Sequence, residues 1–275
     1  MNNMSNAIII IPARYDSTRY PGKPLVHLRD RSGHSKTLIH RSWEAAMCVT
    51  GAAGINQVNQ VFVATDDQRI ADHVHGFGGQ VLMTSPDCVN GTERCAEALS
   101  KLKSTSQPEI PEPEIIVNLQ GDAPLTPPWF IEQLVAALKA NPNTDLATPV
   151  LACDSAALQA LLEDRKAGRV GGTTAVFNRY MEALYFSKEV IPYTDPGKIP
   201  ETKVFHHVGI YAYRPAVLKA YPHWPVGQLE QLEGLEQLRF LENGRKVLCI
   251  PVEAHGRVFW ELNNPEDVDR IERCL

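Results

Sequence analysis

Residues 8–25 read IIIIPARYDSTRYPGKPL, and this stretch indicates the fold. Four consecutive isoleucines without polar alternation are typical of a strand covered on both faces, as in the middle of a parallel sheet. The loop after such a strand lies at the carboxyl edge of the sheet, where open α/β folds bind their ligands. Because this loop contains Arg14, Arg19 and Lys23, we expect an anion site at that edge.

A triphosphate is the anion that suits this loop best. Ser17, Thr18 and the loop's free N–H groups could donate hydrogen bonds beside the cationic side chains. The alternative is a basic surface loop that merely follows a buried strand. The net charge of −5 argues against a nucleic-acid partner bound along a groove, so any anion site must be local.

The composition is that of an ordinary globular protein. The chain has 275 residues, of which 44% are hydrophobic and 21% charged, enough for one large α/β domain. No apolar run approaches the roughly 20 residues of a membrane span, and residues 1–6 lack the features of a signal peptide, so we predict a cytoplasmic protein. The six cysteines have no paired spacing, which favours buried free thiols over a zinc site or disulfides.

A second informative stretch is EIIVNLQGDAPLTPP, residues 114–128. Another buried strand, residues 115–119, ends in Gln120, Gly121 and Asp122, and Pro124 prevents further pairing. Asp122 therefore lies at a strand's carboxyl end, where a magnesium ion bound to a triphosphate requires a hard oxygen ligand. The alternative is a turn aspartate without a ligand.

Strand and helix patterns alternate through the first 150 residues. Strands are predicted at 58–65, 80–84, 115–119 and 144–151, and helices at 39–49, 68–75, 91–102 and 131–138, with residues 27–36 as an exposed excursion. This order favours a Rossmann-like, doubly wound, mostly parallel sheet. Neither GxGxxG nor GxxxxGK[ST] occurs, so the dinucleotide and P-loop signatures are lacking.

The second half is less regular. Residues 206–213 (HHVGIYAY) predict one strand, on which adjacent His206 and His207 face opposite sides and only one enters a pocket. Residues 229–241 (LEQLEGLEQLRFL) have the strongest helical spacing, with the charged residues as a solvated face. Residues 247–252 predict a strand, and residues 264–275 a closing helix with Pro265 in its first turn.

Eight motifs, in order, extend over nearly the whole chain: PARYDSTRYPGKPL, VATDDQRI, NGTERCAEAL, VNLQGDAPL, ALYFSKEVIP, HHVGIYAYR, LEGLEQLRFLENGRKV and NNPEDVDRI. Together they resemble the 3-deoxy-manno-octulosonate cytidylyltransferase family, also called CMP-KDO synthetase. The resemblance implies a magnesium-dependent enzyme that couples CTP to an acidic eight-carbon sugar and releases pyrophosphate. It also implies a homodimer formed through a smaller acceptor-binding region, approximately residues 168–225.

The resemblance also implies the site residues by position. Those expected to act in catalysis are Arg14, Lys23 and Asp122. Those expected to bind the nucleotide are Pro12, Ala13, Arg14, Ser17, Arg19, Lys23, Thr92, Arg94 and Gln120. Those expected to bind the acceptor are Gln120, Lys188, His207, Tyr211, Glu233, Glu236 and Gln237. The expected metal ligand is Asp122, with Asn263 and Glu261 as further candidates.

Three departures from the family pattern lie on the acceptor side. Asn263 stands where the family has a metal-binding aspartate before PED, and an amide oxygen is a weaker ligand for a hard cation. Lys188 stands where the family tends to have arginine, which would grip a carboxylate bidentately. Residues 169–177 (RVGGTTAVF) replace a stretch that in the family resembles NPNAVKVV. The sequence therefore leaves open CMP transfer to a modified octulosonate, a nonulosonic acid or a phosphonate, and also a non-catalytic nucleotide-binding homologue.

Overall fold

The computed structural model describes residues 7–16, 20–50, 60–104, 112–170, 172–195 and 203–275. Within these ranges ten strands form one sheet, in the order β5-β4-β1-β6-β11-β7-β10-β8-β9, with β12 paired to β7. The α/β class is confirmed. None of the helices in the described part of the chain is long and apolar enough to cross a bilayer.

The first half builds the parallel part of the sheet. The strands are β1 (Ala7–Ala13), β4 (Val61–Thr65), β5 (Gln80–Met83) and β6 (Ile115–Asn118), and the helices are α1 (Leu38–Met47), α2 (Gln68–Gly76), α3 (Gly91–Ser104) and α4 (Pro128–Ala140). β1 pairs in parallel with β4 and with β6, and β4 pairs in parallel with β5. The ends of β1 and β6 therefore meet at one edge.

The isoleucine run lies at the centre of this sheet. All seven residues of β1 are buried. Ile9 and Ile11 pack into the apolar cluster on one face, and Ile8 and Ile10 into the cluster on the other. Each fully buried isoleucine contributes about 2 kcal/mol through removal of apolar surface from water. The prediction of a strand covered on both faces is confirmed.

The expected exposed excursion at residues 27–36 is a small antiparallel hairpin instead. Its strands are β2 (His27–Arg29) and β3 (Ser35–Thr37). Leu28 is fully buried against the C-terminal segment, while most of its neighbours are exposed. Leu28 anchors the hairpin to the core, and the polar residues around it in the sequence explain why an exposed segment was predicted.

The second half adds antiparallel strands. The strands are β7 (Leu146–Ala152), β8 (Thr174–Phe177), β9 (Ala183–Ser187), β10 (Phe205–His207), β11 (Tyr211–Tyr213) and β12 (Val247–Val252), and the helices are α5 (Ser155–Lys166), α6 (Pro215–Ala220), α7 (Gln228–Glu233), α8 (Leu238–Glu242) and α9 (Asp267–Glu272). β11 lies antiparallel between β6 and β7, whereas β12 pairs in parallel with β7. Seven of the ten strands consequently point one way.

The prediction of one strand over residues 206–213 is wrong. β10 pairs with β7 and β8, whereas β11 pairs with β6 and β7. Between them, Ile210 N–H donates to the Val208 carbonyl at 2.7 Å, which closes a three-residue turn. This turn moves the chain from one neighbouring strand to another.

The prediction of one helix over residues 229–241 is also wrong. α7 ends at Glu233, and the next residue, Gly234, has φ +61° and donates its N–H to the Glu230 carbonyl at 2.7 Å. Glycine adopts this left-handed conformation without the cost that a Cβ imposes. The charged side chains of residues 229–241 were also expected to form a solvated face, but Glu230 and Arg239 are buried.

Two smaller expectations need correction. The closing helix α9 begins at Asp267, so Pro265 precedes it and does not lie in its first turn. The cysteines are free as predicted, but only Cys95 and Cys249 are buried, whereas Cys48 and Cys274 are exposed.

Candidate active site

A cavity of about 710 Å³ opens where β1 and β6 end. Lys23 and Asp122 both line it, and the Lys23 Nζ lies 2.6 Å from the Asp122 Oδ2. These side chains are 99 residues apart in the chain. The cationic loop and the acidic turn expected from the sequence therefore share one cavity.

The loop after β1 holds Lys23 in position. Gly22 has φ +71°, and its N–H donates to the Tyr15 carbonyl at 2.9 Å. A short 3-10 helix, Lys23–Leu25, follows directly and places Lys23 at the cavity wall. Arg14 is exposed at the cavity and forms no ion pair with other described residues, so its guanidinium is available to an anion. Ser17 and Arg19 lie outside the described residues.

The turn after β6 packs closely against β1. A Cβ on Gly121 would lie 2.7 Å from the Pro12 carbonyl oxygen, so only glycine allows this approach without a shift. The Ser42 hydroxyl donates to the Gly121 carbonyl at 2.9 Å. Gln120 reaches the cavity beside Gly91, where a Cβ would lie 3.2 Å from the amide nitrogen. Pro12, Ala13 and Gln120 all line the cavity, as expected for nucleotide contacts.

A C-terminal segment joins Asp122 through the backbone. Leu262 N–H donates to the Asp122 carbonyl at 2.9 Å, and the Leu262 side chain is fully buried. Its neighbours Glu261 and Asn263 line the cavity. Asp267 shapes this segment, because its carboxylate accepts hydrogen bonds from Asn263 N–H at 2.9 Å and from the Trp260 indole at 2.8 Å.

These side chains suit a magnesium ion. Asp122 and Glu261 offer carboxylate oxygens and Asn263 an amide oxygen at one wall of the cavity, and hard oxygens are the donors that Mg²⁺ prefers. Within the described ranges no three His, Cys, Asp or Glu side chains form a complete metal cage. Such a partial donor set is typical of Mg²⁺ sites that rely on substrate phosphate oxygens for the remaining ligands.

The cavity is also lined by residues expected to bind the acceptor. They are Lys188, His207, Tyr211, Glu236 and Gln237. The Tyr211 hydroxyl donates to Gln237 Oε1 at 3.1 Å, whereas the buried Gln237 Nε2 has no partner among the described residues. A buried amide N–H without an acceptor is costly, so this donor favours a ligand oxygen. Burial raises the pKa of the Glu236 carboxyl and of the Tyr211 phenol.

Both adjacent histidines line the cavity, contrary to the expectation that only one could. Burial lowers the pKa of His206 to about 4 and that of His207 to about 3, so both imidazoles are neutral near pH 7. His207 Nε2 lies 2.9 Å from the Thr148 hydroxyl. His206 packs against Gly172, where a Cβ would lie 2.8 Å from its Nε2. β10 ends at His207, so both histidines lie at the end of a strand.

Three expected site residues are bonded to other groups of the protein: Thr92 and Glu233 lie outside the cavity lining, whereas Arg94 lies in it. Thr92 is fully buried, with its hydroxyl 3.0 Å from that of Tyr213. Glu233 does not line the cavity; it accepts hydrogen bonds from the Ser187 hydroxyl at 2.6 Å and from Lys188 N–H at 2.9 Å, which positions the lysine. Arg94 lines the cavity, but its guanidinium donates to the Thr84 hydroxyl at 2.6 Å.

Asn90 is a cavity residue that the sequence-based assignment missed. Its side-chain oxygen accepts a hydrogen bond from Glu93 N–H at 2.8 Å at the start of α3. The spacing Asn-x-x-Glu ahead of a helix is a capping signal and could have identified it.

Comparison with known proteins is consistent with this geometry. A family model described as cytidylyltransferase matches residues 8–247. The chain belongs to the cytidylyltransferase family.

Several relatives of this cytidylyltransferase match nearly its whole length. A 3-deoxy-manno-octulosonate cytidylyltransferase of Maricaulis maris is 40% identical over 98% of this chain and 97% of its own. A mitochondrial protein of the same name from Arabidopsis thaliana is 38% identical over 98% of this chain and 83% of its own. A solved structure of CMP:2-keto-3-deoxy-manno-octonic acid synthetase complexed with CTP superposes with a TM-score of 0.79, 34% identity and 98% coverage of both chains.

Proposed function

We propose that this cytidylyltransferase transfers CMP from CTP to 3-deoxy-manno-octulosonate and releases pyrophosphate. One observation supports this proposal above the others: Lys23 and Asp122 meet in a cavity that is also lined by Lys188 and by an unpartnered amide donor of Gln237. The same cavity thus offers groups that suit a metal-bound triphosphate and groups that suit a small acid. The relatives that bear this name match the chain almost end to end.

In the proposed reaction the acceptor hydroxyl oxygen attacks the α-phosphorus of CTP. The new P–O bond forms, the bond to pyrophosphate breaks, and the hydroxyl proton leaves to solvent. Arg14 and Lys23 would bind the triphosphate and stabilise the charge that develops on it and on the leaving group. Lys188 would hold the acceptor carboxylate as a point charge, and Gln237 would donate to a sugar oxygen.

We also propose that Asp122, with Glu261 and Asn263 nearby, holds Mg²⁺ in this site. The ion, when bound, would screen phosphate charge and lower the pKa of the attacking hydroxyl. Tyr211 would remain a neutral donor, because burial keeps its pKa raised. His206 and His207 would remain uncharged near pH 7 and would leave Lys188 as the cation nearest the acceptor.

Three further parts of the proposal concern the protein's state in the cell. We propose a homodimer formed through the region of approximately residues 168–225, in which β9 is the last strand of the sheet order. We propose the cytoplasm as its location, because the reaction consumes CTP and the six cysteines are free thiols. Size-exclusion chromatography with light scattering tests the first point, and cell fractionation tests the second.

A second candidate is CMP transfer to a different small acid. Asn263 in place of an aspartate, Lys188 in place of an arginine, and Gly172 beside His206 all alter the acceptor side. A lysine tolerates carboxylate geometries that a bidentate arginine would reject. These features favour a modified octulosonate, a nonulosonic acid or a phosphonate.

The deciding experiment is pyrophosphate release by the purified protein with CTP, Mg²⁺ and a panel of these acids. The proposal predicts the highest kcat/KM with 3-deoxy-manno-octulosonate. A higher value with another acid would favour the second candidate. Nucleotide binding without release for any acid would favour a non-catalytic homologue.

A further inference from the structure

A buried ionic cluster outside the cavity contacts two of the segments that line it. Arg239, on α8, is 2% exposed, and its guanidinium donates to Glu230 at 2.6 and 2.8 Å. A third guanidinium nitrogen atom donates to Glu93 at 3.1 Å. The same guanidinium lies 4.2 Å from the centroid of the Tyr221 ring. We call Arg239, Glu230, Glu93 and Tyr221 the Arg239 cluster.

One side of the Arg239 cluster holds the cavity-lining segment that leads into α3. Glu93 lies in the first turn of α3, and its carboxylate also accepts a hydrogen bond from Val89 N–H at 3.1 Å. The Tyr221 hydroxyl accepts one from the Asn90 amide at 3.2 Å. Val89, Asn90 and Gly91 all line the cavity next to Gln120. The cluster therefore fixes the wall from which α3 begins.

The other side of the cluster holds the cavity-lining segment that follows α7, which includes the expected acceptor residues Glu236 and Gln237. Glu230 lies on α7, and the turn from Gly234 to Gln237 that follows lines the cavity. The Tyr221 hydroxyl donates to the Glu236 carbonyl at 3.1 Å. Glu236 in turn accepts a hydrogen bond from Thr92 N–H at 3.0 Å, which joins the two walls directly.

We propose that Arg239 is a positioning residue that sets two cavity-lining segments, residues 89–91 and residues 234–237, relative to each other. Its charge is satisfied by two carboxylates on different elements, so neither α3 nor α7 can shift without breaking a buried, charge-assisted hydrogen bond. Arg239 itself does not line the cavity. The inference rests on the proposed function, because the alignment matters only if a nucleotide and an acceptor react there.

Two isosteric variants separate the two arms of the cluster. Glu93→Gln weakens the link to α3 and should raise KM for CTP about tenfold, with less than about a twofold change for the acceptor. Glu230→Gln weakens the link to α7 and should raise KM for the acceptor about tenfold, with less than about a twofold change in KM for CTP. Arg239→Lys keeps the positive charge but loses the guanidinium, which bonds Glu230 and Glu93 at the same time, so the KM values for CTP and for the acceptor should both rise. If Arg239 had a purely structural role, both KM values would stay unchanged in this variant.

Arg41→Met is the matched control. Arg41 is 11% exposed and pairs with Asp30 at 3.2 Å outside the cavity, so its loss should lower thermal stability while both KM values stay unchanged. All kinetics are measured well below the melting temperature of each variant. Variants of the Arg239 cluster that melt earlier but keep both wild-type KM values would overturn the inference.

The two proposals fail in different ways. A wild-type protein that releases no pyrophosphate with any acid contradicts the proposed function. Calorimetric titration with CTP alone still tests the positioning role in that case. Glu93→Gln should weaken CTP binding about tenfold relative to both wild type and Arg41→Met, and unchanged binding overturns the inference.

Discussion

Replacing Lys23 with Met removes the ammonium group 2.6 Å from the Asp122 carboxylate and keeps most of the apolar stem. At that distance and an effective dielectric constant near 20, the Coulomb attraction is about 6 kcal/mol. Desolvation of both ions offsets most of this attraction. Because the Lys23 side chain is 15% exposed and the Asp122 side chain 24%, the variant should lose about 1 kcal/mol of stability.

The expected effect on turnover is much larger. Loss of one preorganised donor that stabilises transition-state charge costs about 3–4 kcal/mol, which corresponds to a decrease of 10²- to 10³-fold in kcat. The assay is steady-state pyrophosphate release, with thermal unfolding measured on the same samples.

Lys246→Met is the matched control for this prediction. Lys246 Nζ also lies 2.6 Å from a carboxylate, that of Glu182, but neither residue lines the cavity. This control should turn over like the wild type. A Lys23→Met variant with kcat within about threefold of the wild type would refute the assignment of Lys23 to charge stabilisation.

Three other predictions follow from the geometry. Asp267→Asn removes a carboxylate oxygen that accepts hydrogen bonds from the backbone N–H groups of Asn263 and Asn264, beside the proposed metal ligands. The Mg²⁺ concentration for half-maximal activity should therefore rise about tenfold, and a metal titration curve equal to that of the wild type would contradict this. Gly172→Ala places a Cβ 2.8 Å from His206 Nε2, so KM for the acceptor should rise while KM for CTP does not, and Gly76→Ala, with open space around it, should change neither. In the folded protein the pKa values of His206 and His207 are lowered to about 4 and about 3, whereas an unfolded histidine titrates near pH ~6.5. Unfolding therefore takes up protons below pH ~6.5, and the free energy of unfolding should fall between about pH 6.5 and pH 4. Urea unfolding at these two pH values measures the difference, and equal stability at both would contradict the prediction.

The meeting of Lys23 and Asp122 could be predicted because it depends on a rule of topology. Parallel strands end at the same sheet edge, and both residues directly follow strands with buried, β-branched sequences. The isoleucines of β1 and the glycine before Asp122 are local signals that the packing did not override.

The region around Gly234 could not be predicted for the converse reason. Leucines continue at helical spacing across residues 229–241, and nothing in the local sequence indicates that Glu233 and Glu236 form hydrogen bonds with two separate parts of the chain. Those partners, Ser187 and Thr92, are distant in the chain, and with the turn at Gly234 between them each carboxylate lies beside its own partner. The burial of Arg239 likewise depends on long-range pairing.

The most direct test of the central claim is turnover by Asp122→Asn with saturating CTP, Mg²⁺ and 3-deoxy-manno-octulosonate. The substitution preserves shape and removes the carboxylate charge that the account places beside the triphosphate. We expect a variant that folds and binds CTP but releases pyrophosphate at least about 10²-fold more slowly than the wild type. Release at the wild-type rate would contradict it.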